Sequence, residues 1–292
     1  MKTPELRRTW LFGPGAHRPT HEAMALSGAD GMILDLEDFT PPELRAQARE
    51  QLSQTVALWR AQGAVVCVRI NQLDNEGPLD LEAAMRCGVD VISYPMAKSG
   101  AQMAQLDAAI SQWERNLKLE PGSTEIMPVC ETALGVVAVR EMAAASPRVR
   151  SALLGAEDLA NDLCAERGPD AVELDYARRR FVLECRAAGI EPIDAPFTFA
   201  DTEGAVQEAR YARRLGYRSK SLVRPEHAAP LNSVLTPSTQ ELARAHALVQ
   251  AFDEARRRGD DRALFEGQWV EVPTYRNAKR LIERAQQLAA VT

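Results

Sequence analysis

Aromatic residues are scarce, with Phe, Trp and Tyr making up 5% of the 292 residues. A core must therefore be filled by Ala, Leu and Val, and an apolar fraction of 46% is enough to build a sizeable one. Histidine is nearly absent: the chain has His17, His21, His227 and His246. Only His17 falls near the end of a candidate strand, so a His-based triad or a zinc protease motif has no support. Exposed helix or loop positions are expected for all four. The five cysteines form no CxxC pair, which argues against a disulfide framework or a zinc knuckle. Cys67 and Cys130 lie inside apolar runs and read as small core residues. A reducing, cytoplasmic setting fits. Residues 1–8 are polar and charged, so no signal segment is expected. No run approaches the roughly 18 to 20 apolar residues of a membrane helix, so no membrane partner is expected either. The formal net charge is -6, and no basic face emerges that would mark a nucleic-acid binder. The sharpest basic cluster, Arg178-Arg179-Arg180, reads as the solvated face of a helix.

What the chain does have is alternation. Short apolar runs occur at residues 9–12, 31–36, 64–70, 90–94, 125–130, 152–154, 191–195 and 218–223. Segments with apolar residues at helical spacing separate them. Gly28, Gly63, Gly88, Gly189 and Gly216 stand where those helices should end. Strict alternation implies a parallel sheet, and eight repeats in this length point to a closed (β/α)8 TIM barrel over residues 1–225. After Pro225 the rhythm changes. Thr236-Pro237-Ser238 with Glu241 reads as a helix start, followed by a long charged helix through Arg258. A β-like stretch at 263–272 and a last helix at 275–288 follow. Residues 226–292 thus read as a C-terminal helical extension, an arm or lid reaching a neighbouring subunit.

In a barrel of this kind the active face lies at the C-terminal ends of the strands. Polar residues found there are Asp35-Leu36-Glu37-Asp38, Arg69 and Asn71, Glu131-Thr132, Glu157-Asp158, and Lys220 with Arg224. Oxygen donors without His or Cys select Mg2+ or Mn2+ over zinc. Strands five and six are neighbours, about 4.8 Å apart, so Glu131 and Asp158 are within reach of one ion. A structural reading competes: Asp158 as a helix N-cap and Glu131 as a first-turn acid. Arg69 either pairs with Glu37 or Asp38, or meets a substrate carboxylate or developing oxyanion. The run Gly13-Pro14-Gly15-Ala16-His17-Arg18 lacks the third glycine of a dinucleotide loop. Gly15 and Arg18 suit an anion at a helix start, and a plain tight turn suits the sequence equally.

These residues also form a set of ordered motifs. They are Arg8-Thr9-Trp10-Leu11-Phe12-Gly13-Pro14-Gly15, Ile33-Leu34-Asp35-Leu36-Glu37-Asp38, Val68-Arg69-Ile70-Asn71, Glu131-Thr132-Ala133-Leu134-Gly135 and Gly155-Ala156-Glu157-Asp158-Leu159-Ala160. With them the chain resembles the citrate lyase β-subunit-like proteins of the HpcH/HpaI aldolase superfamily, including malyl-CoA and citramalyl-CoA lyases. The resemblance implies a barrel in homotrimers or hexamers and a Mg2+ ion on Glu131 and Asp158. It puts Arg69 on the enolate or carbonyl oxygen, with Glu37 and Asp38 orienting it. Pro14, Gly15 and Arg18 would meet the phosphates of coenzyme A. A C-terminal carboxylate from a neighbouring subunit would move the proton.

Three positions depart from that pattern. The usual C-terminal Asp is Glu271, the usual Pro-Lys after strand four is Pro95-Met96, and the usual Ile-His-Pro is Val223-Arg224-Pro225. The expected function is a Mg2+-dependent carbon–carbon lyase acting on a β-hydroxyacyl-CoA such as malyl-CoA or citramalyl-CoA, releasing an acyl-CoA and a 2-oxo acid. Three alternatives stand beside it: a CoA-independent aldolase, a citrate lyase β subunit acting on an acyl carrier protein, and a non-catalytic acyl-CoA binder.

Overall fold

The computed structural model describes residues 2–291. The chain forms two compact units, one of Thr3–Asn232 and one beginning at Ser233. In the first, strands and helices alternate: β1 Thr9–Pro14, α1 Arg18–Ala25, β2 Gly31–Asp35, α2 Pro42–Arg60, β3 Val65–Arg69, α3 Gly77–Arg86, β4 Val91–Tyr94 and α4 Gly100–Leu117. Then come β5 Glu125–Cys130, α5 Ala133–Val137, α6 Val139–Ala145, β6 Ser151–Leu154, α7 Glu157–Asp162 and α8 Asp175–Ala188. The order ends with β7 Glu191–Asp194, α9 Thr202–Leu215, β8 Ser219–Leu222 and α10 Ala228–Leu235, within which the two units divide. The eight strands close into a barrel in sequence order, β1 pairing with β8. The fold is the (β/α)8 barrel that the alternation predicts, with strand ends differing by two residues at most.

Strand register decides what each side chain faces. Trp10 pairs with Gly31 and Gly31 with Val65; Phe12 pairs with Ile33, Ile33 with Cys67 and Cys67 with Val91. Residues of this parity fill the barrel interior as one apolar cluster that also takes in Met127, Val129, Leu153 and Ile193. Two residues further along the same rows stand Asp35 and Arg69, themselves register partners. The alternation that buries Ile33 and Cys67 therefore also aims Asp35 and Arg69 inward at the active face. Near the strands' N-terminal ends, Arg7 donates to both carboxylate oxygens of Glu125, at 2.6 and 2.9 Å.

The opposite parity faces the helices, and there a second ionic group is buried. Lys220 on β8 lies 2.6 Å from Asp194 Oδ2 on β7, and Arg178 of α8 donates two hydrogen bonds to the same carboxylate at 2.7 and 2.9 Å. Glu208 of α9 completes it, 3.2 Å from Lys220 and 3.3 Å from Arg178. This corrects the reading of Arg178-Arg179-Arg180 as one solvated face. Successive helix residues point about 100° apart, so Arg178 turns inward while Arg179 is exposed. The expectation of exposed histidines also fails twice. His21 is buried, its Nε2 paired with the Pro14 carbonyl at 2.6 Å and its Nδ1 with Thr55 at 3.0 Å, and His227 is buried too.

The second unit holds α11 Thr239–Arg257, a hairpin of β9 Ala263–Phe265 and β10 Gln268–Val270, and α12 Val272–Val291. Ser238 and Glu241 form a reciprocal capping box at the start of α11, as expected from sequence. The β-like stretch is an antiparallel hairpin, turned by Glu266 and Gly267, both at positive φ. That is the two-residue turn whose twist matches its strands. Ala245, Leu248, Phe252, Ala263, Val270 and Ala278 pack this unit's own core. Among the described residues, no helix is long and apolar enough to cross a membrane.

Burial pushes the Asp194 carboxyl up, but Arg178 and Lys220 outweigh it and hold it below the usual carboxylate range. Its stabilising contribution is therefore complete above the ordinary carboxylate value and is lost only as the pH falls through the lowered native one. Asp194→Ala leaves buried Arg178 and Lys220 sharing the single carboxylate of Glu208 and is expected to cost about 3–5 kcal/mol, read from urea unfolding at pH 7.

Candidate active site

A cavity of about 240 Å3 opens at the C-terminal ends of the strands. Phe12, Val129 and Leu153 line it from the apolar barrel interior, and Asp38, Arg69, Glu131, Glu157 and Asp158 supply its charge. Arg69 is the centre. It is 5% exposed, with Nε donating to Asp35 Oδ1 at 2.8 Å and Nη2 to Asp35 Oδ2. Nη1 lies 2.9 Å from Glu37 Oε2. The rings of Phe12 and Phe39 flank the guanidinium, with centroids 5.2 and 6.0 Å from its carbon. Asp35 is fully engaged, since it also accepts the N–H groups of Glu37 and Phe39 at 2.9 and 3.1 Å. Burial works against the Arg69 charge, and Asp35, Glu37 and Glu131 more than offset it, so the group stays cationic.

Glu131 follows β5, and Thr132 caps α5 by accepting the Gly135 N–H at 3.0 Å. Glu131 Oε1 accepts the Met96 N–H at 2.6 Å. Asp158 stands in the first turn of α7, whose cap position is Ala156. The cap role considered for Asp158 is therefore not the one it plays, and Glu131 lies ahead of its helix rather than in its first turn. Burial pushes the Glu131 carboxyl up to about 7, with Glu37 and Asp158 adding to the rise against the pull of Arg69 and the Met96 N–H. Glu37 is likewise pushed up to about 7, first by burial and then by Asp38, Asp35 and Asp158, while Arg69 opposes the shift. Asp158 is raised by burial and by Asp38.

Asp35, Glu37, Asp38, Glu131 and Asp158 thus cluster around Arg69, and Glu157 also lines the cavity. Neutralising them takes protons or a cation. The donors are all oxygen, which fits a hard divalent ion such as Mg2+. Among the described residues no three of His, Cys, Asp or Glu stand in ligand geometry. A site on Glu131 and Asp158 is therefore of the two-carboxylate kind, which is how Mg2+ is usually held by protein.

The structure brings Arg69, Asp38, Glu131 and Asp158 into one cavity lining and sets Glu37 against Arg69. Arg69 pairs with Asp35 and Glu37 rather than with Asp38. Pro14, Gly15 and Arg18 do not line this cavity. The Pro14 carbonyl meets His21, the Gly15 N–H donates to Thr40 Oγ1 at 2.7 Å, and Arg18 pairs with Glu22 at 2.8 Å. Glu271 belongs to the second unit, exposed, its carbonyl accepting the Tyr275 N–H at 3.0 Å ahead of α12. Sequence reasoning missed Asp35 as the partner of Arg69, although its inward parity with Ile33 was a readable signal. It also missed Thr198, which lines the cavity and donates to Glu157 at 2.7 Å.

Residues 8–225 match the HpcH/HpaI aldolase/citrate lyase family, and the chain belongs to it. It is a carbon–carbon lyase of the citrate lyase β-like kind. The citrate lyase subunit beta of Haemophilus influenzae is 32% identical over 96% of this chain and 97% of its own length. An L-malyl-CoA/beta-methylmalyl-CoA lyase of Cereibacter sphaeroides is 31% identical over 97% and 96%. The CitE protein of Mycobacterium tuberculosis, solved in complex with magnesium, acetoacetate and coenzyme A, superposes with a TM-score of 0.76 at 29% identity, covering 96% of this chain and 98% of that one.

In the metal-free protein, carbon-13 NMR of the carboxyl groups should show Glu37 titrating near 7 rather than 4.5. Arg69→Ala removes the charge that opposes this shift, so the Glu37 midpoint should rise further. Because its native value is raised, Glu37 weakens the fold as the pH climbs from about 4.5 to about 7, and its effect is constant above that.

Proposed function

We propose that this protein is a Mg2+-dependent lyase that splits a β-hydroxyacyl-CoA, such as malyl-CoA or citramalyl-CoA, into an acyl-CoA and a 2-oxo acid. The observation that carries the reading is the buried Arg69, held by Asp35 and Glu37, facing Glu131 and Asp158 in one cavity. The magnesium and coenzyme A bound by the similar Mycobacterium tuberculosis protein support it. Glu131 and Asp158 would hold the ion; Mn2+ would serve as well. When bound, it would supply Lewis-acid polarisation of the 2-oxo acid oxygens.

The chain's own groups do the rest. A cavity carboxylate, in this reading Asp38, takes the hydroxyl proton. As the carbon–carbon bond breaks, its electron pair passes to the thioester carbonyl, and the fixed guanidinium of Arg69 stabilises the developing enolate oxygen. Because Asp35 and Glu37 already hold Arg69, little reorganisation is needed at that moment. Glu271 of a neighbouring copy returns a proton to the enolate carbon. That role would make residues 226–292 an arm between subunits of a homo-oligomer, for which the family resemblance implies a homotrimer or hexamer. Pro14, Gly15 and Arg18 would meet the coenzyme A phosphates outside the cavity, and a cytoplasmic setting fits such thioesters.

One other reading has a specific observation behind it. The chain covers nearly the whole length of citrate lyase β subunits, so it could work only beside other subunits of such a complex, on an acyl carrier protein. The isolated chain should cleave malyl-CoA or citramalyl-CoA with Mg2+ present, and EDTA should abolish the reaction. No turnover of any such free thioester by a chain that binds Mg2+ would favour the complex. Glu131→Gln and Asp158→Asn should each weaken Mg2+ binding by calorimetry. Glu271→Asp shortens the reach of the carboxylate by one methylene, and misplacement of that size can change the rate by about a hundredfold. If Glu271 moves the proton, kcat should shift in that variant while Mg2+ affinity does not.

A further inference from the structure

The Glu131 side chain is gripped from two sides. On one, Oε1 accepts the Met96 N–H at 2.6 Å. Met96 has a φ of 48°, in the left-handed region that a residue with a Cβ seldom enters. Pro95 precedes it, and the next N–H, of Ala97, donates to the Val129 carbonyl at 3.1 Å. The turn after β4 is thus stitched to β5 at two successive amides. On the other side stands Gly155, whose own N–H donates to the Cys130 carbonyl at 3.1 Å. A Cβ placed on Gly155 would lie 2.4 Å from Glu131 Cβ and 3.2 Å from Oε2, so only glycine leaves room for the glutamate as it stands. The Met96 amide engages one lone pair of Oε1 and fixes the carboxylate's orientation, which makes Oε2 the better donor to a ligand.

We propose, resting on the magnesium reading above, that the Pro95-Met96 turn and Gly155 form a cation-selectivity device. They hold Glu131 to one-oxygen coordination and so favour Mg2+ over Ca2+. The physical reason lies in the two ions. Mg2+ demands a near-ideal octahedron at about 2.0–2.1 Å and is satisfied by single carboxylate oxygens, whereas Ca2+ takes about six to eight oxygens at about 2.3–2.6 Å and often binds a carboxylate through both. A carboxylate whose second oxygen already accepts a short backbone N–H bond, and whose orientation that bond fixes, is a poorer two-oxygen ligand for Ca2+. Met96 acts through its amide, so it is a positioning residue.

The test is calorimetric titration of Mg2+ and of Ca2+ into the full-length protein and three variants. The readout is the ratio of the two affinities, which a general loosening of the fold would not shift in a set direction. In Met96→Val the β-branched residue resists positive φ, the amide turns away and Oε1 is freed. The preference for Mg2+ should then fall about tenfold, the scale on which groups behind a metal ligand act. Met96→Gly enters positive φ without steric cost and should restore the ratio. Gly155→Ala should push the carboxylate aside and weaken Mg2+ binding about 10–100-fold. An unchanged ratio in a folded Met96→Val protein overturns the device. Should that variant not fold, unchanged Mg2+ affinity in Gly155→Ala overturns it instead. Binding of neither ion by the unaltered protein removes the magnesium reading itself, a separate and recognisable outcome.

Discussion

The site depends on one buried charge. Arg69 stands where the apolar filling of the barrel ends, and a guanidinium there is tolerable only if its donors are matched. Asp35 matches it with two parallel bonds and Glu37 with a third contact. The pairing between β2 and β3 makes this inevitable, because Asp35 and Arg69 are register partners in neighbouring strands. The closed barrel fixes the arginine, and the fixed arginine in turn makes a buried Glu131 bearable.

That arrangement leaves the mouth deliberately out of balance. Elsewhere the buried charges cancel: Arg7 with Glu125, and Arg178 and Lys220 with Asp194 and Glu208. Those groups tie strands to helices or to one another. At the mouth Arg69 faces more carboxylates than it can neutralise, and Glu37, Glu131 and Asp158 are raised above their ordinary range. A structural network would be expected to relax such an excess. A cluster of perturbed carboxylates in one cavity is where functional sites are commonly found.

Much of this could be read from the chain. Apolar runs at barrel spacing located all eight strands, and acids and arginine at their ends located Arg69, Glu131 and Asp158. What escaped has specific causes. Strand parity was readable at Asp35, yet Glu37 and Asp38 drew attention as partners of Arg69; Glu37 is one, and the register of β2 with β3 adds Asp35. Arg178 was hidden inside a run of three arginines, because the buried partner that turns it inward comes from a strand 16 residues on. His21 was hidden by chemistry that spacing does not show, a carbonyl from β1 and a hydroxyl from α2. The Met96 amide was invisible for a deeper reason. A backbone N–H carries no residue signature, and the substitution of Met for the usual Lys drew the eye to the side chain instead.

Residue 96 therefore changes meaning between sequence and structure. As a side chain it is a departure from the family pattern; as a peptide unit it does something that tolerates many side chains, provided that the φ angle is kept. The same holds in reverse at Gly155, where what matters is the absence of a side chain. Glu131 itself is the visible part of the arrangement, and the two groups that aim it are an amide and a void. The turn after β4 can in this way vary its side chain, as at Met96, without disturbing the carboxylate that its amide holds. The strand ends beneath keep the charge geometry of Asp35, Arg69 and Glu131.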